Sequence, residues 1–260
     1  MCKSSTLLLA GILLAFAAAP ANGSVTVDFR PGLDSDPARR EALAQAAEAR
    51  ILQATDQLRR RTDCRLDPRR DHIRLAVGTV TDADSSVLPA CYTFPDSTIR
   101  VIPEYLAGAD SAEAGIILDR YIRLEAPAEE ILAGCPVRQR REVRAIVSRF
   151  LLSELMHECY HDWQNRQARF PEVDKGKSIL NRNRGLAGSD WRTFLQHQGV
   201  DLREHDRQML KAELECCSLQ AAYWRSFYGP DPIHPLARAF SHLMDAAVRY
   251  YHHQLRNGPK

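Results

Sequence analysis

The sequence predicts an α+β fold: mainly helical, with a small antiparallel or mixed sheet placed before the helix that carries the candidate active site. Three observations point to it. Segments in which branched apolar residues alternate with polar ones, the period of a half-buried strand, fall between Ser24 and Pro103. Beyond them the apolar residues recur at three- and four-residue intervals, the period of an amphipathic helix. A length of 260 residues with 45% hydrophobic content suffices for one substantial core, so one domain is expected.

The N-terminal stretch differs in kind from the rest. Lys3 precedes an almost uninterrupted apolar run from Leu7 to Ala19, and Ala19-Pro20-Ala21 and Ala21-Asn22-Gly23 offer small-residue cleavage sites. This reads as a secretory signal peptide over residues 1–23, leaving a mature domain of residues 24–260. The run is too short to span a membrane comfortably, and no other segment approaches the roughly 18 apolar residues a span requires. An exported protein, periplasmic or secreted, is therefore expected, without a stable membrane span once the signal is removed.

Val25, Val27 and Phe29 alternate in a first strand over Ser24 to Arg30, which Pro31-Gly32 ends. Asp34-Ser35-Asp36-Pro37 starts a long amphipathic helix through Ala38 to Arg61, with Leu43, Ala46, Ile51 and Leu58 on its apolar side. Its Arg59-Arg60-Arg61 end matches the negative end of the helix dipole, a plainer reading than a nucleic-acid patch. Ile73 to Val80 reads as a strand, and Val87 to Phe94 with Thr98 to Pro103 as a strand pair around Pro95-Asp96. Ser111 to Ala133 reads as helix, broken by Cys135-Pro136 before a long helix starting near Arg138. Phe170 to Trp191, with Pro171, Gly176, Gly185 and Gly188 among many charges, reads as a loop-rich connector. Helix returns from Asp201 to Tyr228, stops at Gly229-Pro230, and resumes at His234-Pro235 toward Tyr250-Tyr251-His252-His253.

Basic and acidic residues number 35 and 33 and are spread along the chain, so nothing in the charge pattern calls for nucleic acid or an anionic membrane surface. Removal of residues 1–23 takes Cys2 and leaves Cys64, Cys91, Cys135, Cys159, Cys216 and Cys217. An even number of cysteines in an exported chain implies disulfides. Cys64 with Cys91 is the first expectation, since both flank one strand region, and vicinal Cys216 and Cys217 are expected to reach two different partners.

The chemistry centres on His157-Glu158-Cys159-Tyr160-His161, an H-E-x-x-H pattern inside the long helix. Histidines at i and i+4 lie about one turn apart on one face, so both imidazoles reach one tetrahedral metal ion. The pattern is that of a zinc site, with Glu158 placed to act as general base on a water without ligating the metal. Val143, Ile146, Val147, Phe150 and Leu151 lead into it as an apolar stripe, which buries the helix. Cys159, two residues from each histidine, points to the other side and is not a ligand. A catalytic zinc needs a third protein ligand. The residues after His161 lack the G-x-x-H continuation that would supply a histidine, and Glu213, 52 residues on (161 to 213), is the good remaining candidate, with Glu215 two positions beyond it.

With His157 to Gln164 forming H-E-x-x-H-x-x-Q and Glu213-Leu214-Glu215-Cys216 standing where an E-x-E-A-like helix follows, the chain resembles gluzincin-type bacterial zinc metallopeptidases. Cys216 departs from the small alanine usual there. The resemblance covers Arg138 to about Trp224 and implies a zincin-like domain in which Zn2+ is held by His157, His161 and Glu213, the first glutamate of the second motif. It further implies hydrolysis of peptide bonds in a peptide or protein substrate, with Glu158 as general base and a Tyr, His or Arg on the oxyanion. Tyr223, His205 and His234 are the candidates for that last role. Two other readings stand beside this one: an exported zinc-binding or protein-interaction module without catalysis, and a disulfide-stapled helical domain in which the histidines are merely hydrogen-bonded. The sequence does not specify an oligomeric state.

Overall fold

A computed structural model describes residues 25–29, 36–68, 71–78, 90–93, 97–103, 128–133, 136, 142–183 and 191–258. The class is α+β, mostly helical with a four-stranded mixed sheet. Strands β1 (Val25–Phe29), β2 (Ile73–Val77), β3 (Ala90–Thr93) and β4 (Thr98–Val101) lie in the order β1-β2-β4-β3. β1 pairs parallel with β2 and β2 with β4, while β3 runs antiparallel to β4 as the expected strand pair. Alternation sets which face is buried: Ile73, Leu75 and Val77 are enclosed while Arg74 is exposed.

Helix α1 (Pro37–Arg61) connects β1 to β2, the long crossover that a parallel pair needs. Its start is built by Asp36, whose side chain accepts from the Ala38 N–H at 3.0 Å, followed by Pro37 at the first helical position. Leu43, Ala47, Ile51, Ala54 and Leu58 form its buried stripe. After α2 (Ala128–Ala133), helix α3 (Val143–Arg166) runs through the middle of the core. From Ile146 it buries first one side and then, over Glu158 to Gln164, the whole circumference. It packs against α1, against β3 and β4, and against α6 (Leu202–Tyr228). α7 (Pro235–Asn257) closes the far side of α6, where Phe240 stacks on Phe150 at 4.1 Å between ring centroids and meets the Trp224 ring edge-on.

The expected connector from Phe170 to Trp191 is corrected by the structure, because much of it is helix: α4 spans Pro171–Arg182 and α5 spans Trp191–His197. Pro171 sits at the first helical position, Glu172 and Asp174 meet the positive end of the dipole, and Arg182 lies in the last turn. Gly176 is packing rather than punctuation. A Cβ there would lie 3.3 Å from both the His205 ring and a Leu195 methyl, so its small size lets α4 approach α5 and α6. Residues 184–190 lie outside the described part of the chain, as do 104–127 and most of the start expected near Arg138.

The disulfide expectation is also corrected. Cys64 is a free thiol with no exposed surface, so it is not bonded to Cys91, and Cys159, Cys216 and Cys217 are free, buried thiols as well. Cys135 lies outside the described residues, as does the whole of residues 1–24. Burial pushes the Cys64 thiol up to about 11, with Asp63 and Asp162 adding to the effect. Among the described residues no helix is long and apolar enough to cross a membrane.

Candidate metal centre

The i, i+4 spacing puts His157 and His161 on the face of α3 that meets α6, with their Nε2 atoms 3.1 Å apart. α6 brings Glu213 to the same point. Its carboxylate oxygens lie 3.4 Å from His157 Nε2 and 3.3 Å from His161 Nε2. A tetrahedron with metal–ligand bonds of about 2.0–2.1 Å has edges of about 3.3–3.4 Å. The separations, measured to one Glu213 oxygen at each histidine, are of that size, and the donor set of two imidazoles and a carboxylate is one zinc accepts.

The electrostatics of the cluster agree with its geometry. Burial disfavours charge on both imidazoles, yet Cys216 and Glu213 outweigh it and hold His157 and His161 well above the usual histidine range. Burial would raise the Glu213 carboxyl, but the two histidines outweigh it and keep the group well below the ordinary carboxylate range. The histidines and Glu213 thus each favour the charged form of the other.

Glu158 is buried on the same helix. Burial raises its carboxyl above the ordinary range; the histidines oppose that shift and Glu213 adds to it, while the Tyr92 backbone N–H hydrogen-bonds the carboxylate. β3 therefore reaches the site through its backbone. It is anchored there by the Tyr92 hydroxyl, which donates to Asp162 Oδ1 at 3.2 Å and accepts from Asn165 Nδ2 at 2.9 Å, and Arg166 Nε holds the other Asp162 oxygen at 2.8 Å.

A relay behind His161 sets its orientation. Gln164 Nε2 donates to Glu215 Oε2 at 2.9 Å, which leaves Gln164 Oε1 facing His161 Nδ1 at 3.1 Å as an acceptor. Nδ1 must then carry a proton, which leaves Nε2, the nitrogen on the Glu213 side, as the one that can give up its proton and offer a lone pair to a metal ion. Glu215 is held from outside by Arg169 at 3.1 Å. The two glutamates of the second motif therefore divide: Glu213 faces the histidines and Glu215 supports Gln164.

Sulfur lines the centre too. Cys216 Sγ is 3.4 Å from His161 Nδ1 and 3.6 Å from Gln164 Oε1, and the Cys217 thiol hydrogen-bonds His157. Ligand atoms of His157, His161 and Cys216 all lie within 4.8 Å of one another, a second possible triad. Glu213 meets the Nε2 atoms of both histidines, while Cys216 contacts the Nδ1 side of His161.

The three residues expected at an oxyanion are engaged elsewhere. Tyr223 is buried under the Arg61 guanidinium, His205 packs against Gly176, Trp191 and Asp206, and His234 caps α7 by accepting from the Leu236 N–H. Tyr251, which sequence reasoning missed, is a phenol within electrostatic reach of the centre: burial pushes it up, Glu213 and Cys217 add to that, and His157 opposes it. It belongs to the aromatic tail noted in the sequence, but only the docking of α7 beside α6 brings it there. Glu154 was missed as well. One turn before His157, it accepts from Gln220 Nε2, and burial raises its carboxyl while His157 opposes the shift. The signal was present as a doubled E-x-x-H, Glu154 to His157 and Glu158 to His161.

Compared with protein-family models, with curated proteins and with solved structures, the chain has no match.

Proposed function

We propose that the chain is an exported zinc-dependent metallopeptidase, with His157, His161 and Glu213 as the metal ligands and Glu158 as general base. The observation that carries the reading is the convergence of the Glu213 carboxylate, at 3.3 and 3.4 Å, on the Nε2 atoms of both histidines. Donors from two helices, far apart in sequence, meet at one buried point. A zinc ion held there supplies Lewis acidity and an activated water. Glu158 takes the proton of the attacking water and returns it to the leaving amine. Gln164 keeps His161 in the tautomer that presents Nε2. The apolar run Leu7 to Ala19 supports export.

The test separates a peptidase from a metal-binding module. Glu158→Gln keeps the shape of the side chain and all three ligands, so zinc content by elemental analysis stays near one per chain. Cleavage of a peptide library at neutral pH falls by about 10²–10⁴-fold, the usual contribution of a general acid–base group. Zinc bound with no zinc-dependent cleavage by the parent protein would establish the module instead. Cleavage at full rate in the variant would remove Glu158 from the mechanism.

A further inference from the structure

We propose that Cys216 is an alternative metal ligand, so that the histidine pair takes a thiophilic ion through sulfur as well as zinc through Glu213. The inference rests on the metal centre described above and adds a second donor to it. Glu213 and Cys216 are three residues apart on α6, one turn of the same face, and both side chains reach the histidines. Cys216 Sγ contacts His161 at 3.4 Å, and its ligand atom falls within 4.8 Å of one on each histidine. The sulfur has no exposed surface and is not in a disulfide, which leaves it sheltered and available inside the centre.

Ligand softness then selects the donor. A carboxylate is a hard ligand and a thiolate a soft one, while imidazole serves both classes of ion. Zinc, borderline in character, is held by the nitrogen and oxygen set. Cd2+ exchanges Glu213 for Cys216: the thiol gives its proton to solvent, one sulfur–metal bond forms, and no oxidant is involved. Cys216 is the sulfur that shares the cluster with both histidines.

The experiment titrates the metal-free full-length protein with CdCl2 under anaerobic conditions and follows the near-ultraviolet thiolate-to-cadmium absorption band. The band saturates at one equivalent in the parent protein, persists in Glu213→Gln and Cys217→Ser, and is lost in Cys216→Ser and His157→Ala. Cys216→Ser keeps a polar atom in the same place, and Glu213→Gln leaves the sulfur untouched, so folding of either variant keeps the test open. Cadmium bound without the band, or a band unchanged in Cys216→Ser, overturns the proposal while zinc binding dependent on Glu213 leaves the proposed function standing. Failure of the parent protein to bind either ion overturns both.

Discussion

Replacing Gln164 with leucine tests whether the relay behind His161 tunes the metal centre. The side chain is fully buried and makes four polar contacts: Oε1 to His161 Nδ1 at 3.1 Å and to the Cys216 thiol at 3.6 Å, and Nε2 to Glu215 at 2.9 Å and to the Ala212 carbonyl at 3.5 Å. Gln164→Leu removes the amide acceptor at 3.1 Å from the Nδ1–H of His161 and leaves the weaker Cys216 sulfur at 3.4 Å beside it. Losing a partner of a metal-bound histidine costs about 10–100-fold in affinity, or about 1.4–2.7 kcal/mol. Glu215 is partly exposed and keeps Arg169, so little of the loss arises at that end. Zinc affinity is read by competition with a chromophoric chelator at fixed pH, with thermal melting as the control for folding. Gln164→Glu is expected to fare no better, since it sets a second carboxylate against Glu215 where a donor stood. Adding Glu215→Gln restores a donor–acceptor pair and recovers affinity, with a coupling of about 0.5–3 kcal/mol between the two positions. Zinc binding by Gln164→Leu within twofold of the parent protein would refute the relay.

Two further outcomes follow from the same geometry. Glu213→Ala should release zinc far more readily than Glu215→Ala, which removes only an outer support and stays within the roughly 10–100-fold range of such partners; elemental analysis after dialysis against a chelator ranks the two, and a reversed order would exchange their roles. Cys64 predicts an alkaline dependence of stability: its folded-state pKa of about 11 exceeds the ordinary 9.0, so across that window the folded protein keeps a proton the unfolded chain has lost. Stability is complete below pH 9 and falls toward pH 11, by about 2–3 kcal/mol from this group. Urea unfolding at both ends of the window should show a smaller drop in Cys64→Ala, and equal drops would rule the group out.

Much of the candidate site was legible in the sequence, because a helix converts spacing into direction. His157, Glu158 and His161 needed only the 3.6-residue period, and Glu213 needed a returning helix of the right length. Glu154 was equally local, yet E-x-x-H alone carries no compelling chemistry. Tyr251 was not legible, since its place depends on how α7 docks beside α6 and on nothing in its own segment. α4 was misread because Gly176 and the charges around it resemble a loop, whereas the glycine is a contact point between helices. The cysteines were misread for another reason: counting them assumes pairing, while Cys64, Cys159 and Cys216 are buried in the core as free thiols and Cys216 is turned toward His161.

The separation of the donors along the chain also orders events during synthesis. His157 and His161 become neighbours as soon as α3 forms, but two imidazoles are an incomplete and weakly holding pair. Glu213 enters only after α4 and α5 have been made and α6 has turned back onto α3, with Gln164 and Glu215 closing the relay in the same movement. A nascent chain ending before α6 therefore carries the sequence motif without the cluster, and the proposed metal centre is complete only in the last stages of assembly.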